Sequence, residues 1–111
     1  MNIEELRSFC LSLSEDVVEK FPFQQFKAAR DVLAFYTGGH IFCYFDINDL
    51  HHVTVKCRKE EVPALLEQYD CLGHPYNGNP KYWIGIDATR AEATLIQRLI
   101  TNSFRLTEKK K

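Results

Sequence analysis

The stretch VLAFYTGGHIFCYFDI, residues 32 to 47, decides the fold class of this chain. Two apolar runs flank the pair Gly38-Gly39, and glycine readily adopts the positive φ angles that both central residues of a tight two-residue turn require. The stretch therefore predicts a β-hairpin. A further strand is predicted at residues 51 to 57, where apolar and polar side chains alternate.

Helical patterns precede and follow these strands. Asn2 and Glu5 have the spacing of a capping box, and they begin a helix predicted over residues 3 to 13. A second helix is predicted over residues 61 to 69. A third helix has the strongest apolar stripe in the chain and includes Phe104.

The stretch between the last two helices divides into a loop and a strand. Residues 70 to 80 contain two glycines and two prolines and predict an irregular loop. The strand YWIGIDA, residues 82 to 88, is predicted to follow it. The order α, several β, α, β, α predicts an α+β fold, a two-layer sandwich in which an antiparallel sheet carries helices on one face. We expect one domain over residues 1 to 106 and a disordered basic tail over residues 107 to 111.

Composition narrows the class of protein. With 111 residues, 45% of them hydrophobic, the chain can bury a core without disulfides or metal. No apolar run approaches the roughly 18 residues of a membrane span, and the first residues, MNIEELRSF, are acidic and amphipathic, unlike a targeting sequence. The four cysteines form no CxxC pair. We therefore expect a cytoplasmic protein with reduced cysteines, no membrane association and no cofactor.

The formal net charge of −1 argues against a strongly basic nucleic-acid-binding protein. The charge is nevertheless uneven, because residues 1 to 52 carry four basic and eight acidic side chains while residues 53 to 111 carry ten and seven. Three of those ten basic residues are the terminal lysines, so the folded part of the second half is expected to be close to neutral.

The alternation in KYWIGID predicts which side chains lie on each face of the sheet. Tyr82, Ile84 and Ile86 form an apolar row suited to the helix-covered face, so Lys81 and Trp83 are predicted on the open face. The same alternation predicts further open-face residues in the other strands, namely His52, Thr54, Lys56 and the hairpin row Phe42, Tyr44 and Asp46.

This predicted open face combines aromatic rings with cations, which suits base stacking and phosphate contact. The candidate nucleic-acid-binding residues are Tyr44, Thr54, Lys56, Arg58, Lys81 and Trp83, and the candidate wing residues of the adjacent loop are Asn77, Gly78 and Asn79. In a second interpretation, the loop at residues 70 to 80 folds over Trp83 and leaves this face without a binding role.

The sequence carries no pattern typical of an enzyme. It contains no GxSxG, HExxH or GxxxxGK motif. His51 and His52 are adjacent, and because neighbouring strand residues point to opposite faces, they are not expected to share a metal ion. We therefore expect a non-catalytic protein without a metal site.

Several elements, taken in order, resemble the MmcQ/YjbR family of small bacterial proteins. They are the opening MNIEELRSFCLSL, the Phe21-Pro22-Phe23 element, the hairpin from Gly38 to Phe42, the strand from Val53 to Cys57, Lys81-Tyr82-Trp83 and a last helix ending in Ser103-Phe104. The resemblance covers residues 2 to 106. It implies a CyaY-like fold and a DNA-binding role through a double-wing arrangement.

The chain departs from that family at two positions. The family's Lys-x-His-Trp signature falls on residues 80 to 83, where the lysine stands at 81 and Tyr82 replaces the histidine. Members often end the last helix in Ser-Tyr, whereas this chain has Phe104. A hydrogen-bonding or titrating histidine and one hydroxyl are therefore missing here.

Three hypotheses follow for function. The preferred one is a non-catalytic protein that binds DNA, without sequence-specific readout, through the open sheet face and adjacent loop. By analogy with CyaY-like folds, the alternative is binding of a metal ion or protein partner by acidic residues of the first half, Glu4, Glu5, Glu15, Asp16 and Glu19. The third concerns Phe21, Phe23 and Phe26, which predict either core or a self-association surface, and hence a monomer or weak homodimer.

Overall fold

Six strands and three α-helices lie within residues 1–109, the part of the chain that this computed structural model describes. In chain order they are α1 (Ile3–Ser12), β1 (Val18–Lys20), β2 (Val32–Thr37), β3 (His40–Asp46), β4 (Asp49–Lys56), α2 (Val62–Gln68), β5 (Leu72–Gly73), β6 (Trp83–Ile86) and α3 (Ala93–Glu108). The strands form one antiparallel sheet in the order β1-β2-β3-β4-β6-β5. The predicted α+β architecture is confirmed.

The central hairpin has the predicted two-residue turn. Thr37 pairs with His40, and the turn residues Gly38 and Gly39 have φ angles of 59° and 83°. Both values lie in the left-handed region, which only glycine occupies at no steric cost. The glycine pair therefore sets the point at which β2 reverses into β3.

Strand β3 contains a β-bulge. Phe35 pairs with Cys43 and the next pair along is Tyr36 with Ile41, so the register skips Phe42. At such a bulge two successive residues of one strand oppose one position of its partner, and the alternation of faces is interrupted. Phe42 and Cys43 therefore both lie on the helix side of the sheet.

The position of Phe42 corrects the predicted outer row of the hairpin. Its ring is fully buried and meets Phe104 of α3 edge to face, with the ring centroids 5.3 Å apart at 82°. Tyr44, from the same predicted row, does lie on the side away from the helices. Strict alternation assigned Phe42 to the wrong face because it does not allow for the inserted residue.

The hydrophobic core lies between the sheet and the helices. Helix α3 packs across β2, β3 and β4, and α1 contributes the fully buried Leu6 and Cys10. Burial of apolar surface is the main favourable term in folding. The fully buried apolar side chains of the sheet and α3 include Phe35, Phe42, Cys43, Val53, Val55, Ile84, Ile86, Ile96 and Ile100.

Two predicted boundaries differ from the structure. The tail predicted at residues 107 to 111 is wrong at its start, because α3 continues to Glu108 and Thr107 is fully buried; residues 110 and 111 lie outside the described part of the chain. The loop predicted at residues 70 to 80 contains the short strand β5, because Leu72 packs into the core. Within residues 1–109, no helix has the length and apolar character needed to cross a membrane.

A buried hydroxyl connects α3 to two strands. Ser103 Oγ donates a hydrogen bond to the Phe42 carbonyl and accepts one, at 2.8 Å, from the Lys56 backbone N–H. These two groups lie one residue beyond the Cys43–Val55 pair. Ser103 therefore bridges β3 and β4 next to the bulge.

We expect Ser103→Ala to lower the free energy of unfolding by about 2 kcal/mol, because two buried backbone groups lose their common partner. Thr101→Ala is the matched control: Thr101 Oγ1 donates a hydrogen bond to the Gln97 carbonyl within the same helix, and its loss should cost less than about 0.5 kcal/mol. Urea denaturation measures both. Equal losses in the two variants would contradict the bridging role.

Candidate functional site

A groove of about 620 Å³ lies on the side of the sheet opposite the α-helices. This volume falls within the roughly 300–1,000 Å³ of typical ligand pockets. One wall is the segment between β1 and β2, and the other is the loop at residues 76 to 79. Its side chains are mainly apolar or aromatic and include Val32, Ile41, Tyr44 and Trp83 on the floor, with Phe23, Phe26, Ala29 and Tyr76 on the walls.

The sheet register places Trp83 on this groove side. Trp83 pairs with Lys56 and lines the groove. Ile84 and Ile86 point to the other face, into the core, where both are fully buried. The predicted face of Trp83 is therefore confirmed.

An aromatic pair forms the centre of the floor. The rings of Tyr44 and Trp83 meet edge to face with centroids 5.7 Å apart and planes at 61°. Lys56 Nζ lies 5.8 Å from the centroid of the Trp83 ring, close enough for a cation–π interaction. Two aromatic rings and one ammonium group from three adjacent strands thus converge at one place.

Trp83 is half-buried, a state between the two predictions from the sequence, an open face and a face covered by the loop. Gly78 lies against the aromatic pair so closely that a Cβ added there would be 2.9 Å from the Tyr44 hydroxyl and 3.4 Å from Trp83 Cβ. The loop therefore covers part of the pair. It does not fill the groove, which remains open between the two walls.

Hydrogen bonds hold this loop against the sheet. The Tyr44 hydroxyl donates to the Tyr76 carbonyl, and the Tyr76 N–H donates to Thr54 Oγ1 at 3.2 Å. Thr54 Oγ1 in turn donates to the His52 carbonyl at 3.0 Å. The prediction that Thr54 is exposed is therefore wrong: it faces the groove side but is 0% exposed, because the loop covers it.

The Tyr44 phenol is held in its neutral form. Burial raises its pKa to about 12, and the neighbouring Thr54 side chain opposes part of that shift. A phenol with this pKa remains a hydrogen-bond donor throughout the neutral range. Tyr44 therefore contributes a ring to the floor and a permanent donor to the loop.

A close backbone approach sets the course of the loop. A Cβ added at Gly85 of β6 would lie 2.3 Å from the carbonyl oxygen of His74. The chain leaving β5 can cross the face of β6 only because Gly85 has no side chain. The crossing places residues 76 to 79 beside Trp83.

The loop predicted to act as a wing lies along the groove as a wall. Asn77 has a φ of 52°, a left-handed conformation that asparagine tolerates better than most residues. Asn77, Gly78 and Asn79 all line the groove. These three residues therefore lie beside the floor aromatics, and Gly78 packs directly against them.

The predicted cations do not all meet at the groove. Lys81 is exposed in the turn before β6, where its N–H donates to Asn79 Oδ1 at 3.0 Å. Arg58 follows the end of β4 and lies beside Glu61 and Arg105 on the helix side. Arg58 is thus separated from Lys56, Lys81 and the aromatic pair.

The wall formed by Phe23 and Phe26 was not predicted as part of the site. These phenylalanines were assigned to core or to self-association, and their exposed fractions are 36% and 57%. The segment lies between β1 and a short 3-10 turn at Lys27–Ala29 and has no regular period. Its aromatic content next to an edge strand was the available signal, but nothing in the sequence shows which way the segment folds.

Basic residues are concentrated in the chain segments that flank the groove. Residues 20 to 30 contain Lys20, Lys27 and Arg30 and no carboxylate, and residues 71 to 86 contain Lys81 and no carboxylate. The next acidic residue, Asp31, accepts a hydrogen bond from Asn48. Most other carboxylates lie in or next to the helices: Glu4, Glu5, Glu15, Asp16, Glu60, Glu61, Glu67, Glu92 and Glu108.

A family model described as YjbR matches residues 11–106 of the chain. The chain belongs to the YjbR family. Among solved structures, a Deinococcus radiodurans protein with a DUF419 family domain is similar, with a TM-score of 0.85 and 24% identity over 98% of this chain and 80% of that one. A Pseudomonas syringae protein is similar with a TM-score of 0.80 and 20% identity over 96% and 99%. These two likenesses establish the fold. A comparison with curated proteins finds no match.

The two residues at which this YjbR-family chain differs from the family pattern, Tyr82 and Phe104, lie in different parts of the fold. Tyr82, where the family signature has histidine, precedes β6 and is 41% exposed, so its prediction as a core residue is wrong. Its carbonyl accepts a hydrogen bond from the Cys57 N–H at 2.7 Å. Phe104, the other departure, is buried in the core, where its ring meets that of Phe42 edge to face.

The acidic residues considered for cation binding do not converge. Glu19 forms a bidentate ion pair with Arg7, and Glu5 caps the first turn of α1. Within residues 1–109, no three His, Cys, Asp or Glu side chains are placed to hold one metal ion.

The two adjacent histidines, whose side chains are predicted to point to opposite faces of the strand, both lie near the same carboxylate. Their Nδ1 atoms lie 2.8 Å (His51) and 3.8 Å (His52) from the carboxylate oxygens of Asp49. Asp49 starts β4 beside the turn from β3, where both imidazoles can lean towards it.

We expect Gly85→Ala to lower the free energy of unfolding by about 1–3 kcal/mol, because the new methyl group meets a backbone carbonyl that cannot move without displacing the loop. Gly73→Ala is the matched control, since Gly73 pairs with Gly85 in the sheet and a Cβ there meets nothing within 4 Å. Its effect should stay below about 1 kcal/mol. Equal denaturant midpoints for the two variants would rule out the close approach.

The raised pKa of Tyr44 predicts a loss of stability at alkaline pH. Its contribution is fully present below the ordinary phenol pKa of about 10 and is lost as the pH rises towards about 12. At pH 7 the Tyr44→Phe variant should be less stable than wild type by about 1 kcal/mol, because the Tyr76 carbonyl loses a donor. Urea denaturation over a pH series should show this difference narrowing above about pH 10; a constant difference would contradict the assignment.

Proposed function

We propose that this YjbR-family protein is a non-catalytic binding protein, and that the groove side of its sheet binds nucleic acid. The observation that carries this proposal is the aromatic floor of Tyr44 and Trp83 beside Lys56, set in an apolar groove on the face opposite the helices. Bases and phosphates together require this combination of flat apolar surface and positive charge.

The aromatic floor supports base stacking. Trp83 and Tyr44 are partly covered by the loop but line the open groove. Stacking of a base on an aromatic side chain contributes about 1–3 kcal/mol per base and is tolerant of sequence. The floor hydroxyls of Tyr44 and Thr54 already bond the loop, so recognition would depend on stacking more than on reading base edges.

The distribution of charge supports contact with phosphates. Lys20, Lys27 and Arg30 belong to the chain stretch that supplies one wall of the groove, Lys56 lies beside Trp83, and Lys81 stands two residues before Trp83. Residues 20 to 30 and 71 to 86, which supply the two walls, contain four basic residues and no carboxylate, although the net charge of the chain is −1. Such a local excess of positive charge favours the approach of a polyanion to the groove side. Arg58 is not part of this proposal.

A binding role, without catalysis, fits the chemistry of the site. Among the described residues that line the groove, the Tyr44 phenol is the one with a strongly shifted pKa. Its pKa of about 12 keeps it protonated, and its hydroxyl is already hydrogen-bonded to the loop. A group suited to general acid or base chemistry would have a pKa closer to neutral.

Salt dependence tests the proposal. Binding of fluorescein-labelled DNA, single-stranded and duplex, is measured by anisotropy over a range of salt concentrations. For each lost phosphate contact, Lys56→Ala and Lys81→Ala should reduce the magnitude of the log–log slope by about 0.7 on single strands or 0.9 on a duplex.

Arg105→Ala provides the control, because Arg105 is an exposed cation of α3 on the opposite layer. Its slope should equal that of wild type. Failure of both kinds of DNA to bind at low salt, or an equal loss in all three variants, would refute nucleic-acid binding at the groove.

A further inference from the structure

We infer that the groove accepts an unpaired base, and that the ligand is therefore single-stranded nucleic acid. This inference rests on the proposed function and names the class of nucleic acid that the same site takes. It follows from the recessed position of the aromatic floor, the fastening of the loop wall and the placement of the cations.

The floor is recessed. Tyr44 and Trp83 lie between Phe26 on one wall and residues 76 to 79 on the other, and neither floor side chain is fully exposed. In a duplex, the faces of each base are covered by stacked neighbours, and only base edges and backbone are accessible. A duplex therefore cannot bring a base face onto this floor, whereas a single strand can turn one base into the groove.

The loop wall is fastened at several points. The Tyr76 backbone bonds both Tyr44 and Thr54, and the chain entering the loop passes over Gly85 with no room for a Cβ. A loop held in this way cannot extend into a groove of duplex DNA. It forms a preformed side for a smaller, flat group.

The cations are few and belong to the chain segments on the two sides of the groove. Lys27 and Arg30 belong to the segment that supplies the phenylalanine wall, while Lys56 lies beside Trp83 and Lys81 stands two residues before it. A single strand whose base enters the groove would place its adjacent phosphates near these segments. Duplex DNA carries a higher charge density and is usually bound by a wider basic surface than this one.

The experiment uses the fact that Trp83 is the only tryptophan in the chain. Its fluorescence is followed while wild-type protein is titrated with three ligands of equal length, about twelve nucleotides per strand. They are oligothymidine, an abasic strand with the same number of phosphates, and a duplex. Oligothymidine should change the Trp83 emission and bind at least about tenfold more tightly than the other two, because only it can stack.

Two substitutions and a control then locate the base, with labelled strands and anisotropy as the readout. Trp83→Leu should weaken oligothymidine binding about tenfold and leave abasic-strand binding unchanged, while Trp83→Phe should retain most of the affinity. Phe9→Leu is the control, because Phe9 is a half-buried aromatic residue of α1 in the opposite layer. Circular dichroism checks that each variant is folded.

The outcomes separate this inference from the function on which it rests. If the duplex or the abasic strand binds as tightly as oligothymidine, the inference is overturned while nucleic-acid binding stands. Oligothymidine binding without any change in Trp83 emission would overturn it in the same way. If none of the three ligands binds, or if dextran sulfate, a polyanion without bases, binds as tightly as oligothymidine, both proposals fail.

Discussion

The β-bulge at Phe42 is the constraint on which the two faces of this sheet depend. By inserting one residue into β3, it turns both Phe42 and Cys43 towards the helices. A regular strand would expose Phe42 or remove Tyr44 from the opposite face. Ser103 fixes the irregularity, because its hydroxyl bonds the Phe42 carbonyl and receives the Lys56 N–H. The same few residues thus anchor α3, hold β3 to β4 and decide which aromatic rings remain for the other side.

The face opposite the helices is incompletely covered. A sheet with one face packed on a core commonly leaves the other to water, but here two connections cross it and leave a groove between them. The connection from β5 to β6 can do so because Gly85 admits the His74 carbonyl and because Thr54 supplies a bond to the Tyr76 backbone. The connection from β1 to β2 contributes exposed phenylalanines. The groove is therefore a consequence of how two loops cover one sheet.

Sequence periodicity predicted the parts of this arrangement that depend on neighbouring residues. The glycine pair of the hairpin, the capping box at Asn2 and the inward row of Ile84 and Ile86 follow from local rules. The misplaced residues depend on contacts between distant parts of the chain. Phe42 was assigned to the wrong face because a bulge has no local signature, and Thr54 was predicted exposed because its cover comes from a loop 22 residues away. The orientation of the phenylalanine wall likewise required the three-dimensional path of the chain.

The groove is built before any ligand arrives, and this has an energetic consequence. Binding that must first order a loop loses part of its gain to conformational entropy. Here the loop wall is fixed by backbone hydrogen bonds and by a backbone-to-backbone approach, and the floor rings of Tyr44 and Trp83 restrain each other edge to face. For the nucleic-acid binding proposed above, a modest set of cations and one stacking surface would then suffice. The near-neutral net charge of this chain is compatible with such a site, because a preformed groove depends less on long-range attraction than a flat surface does.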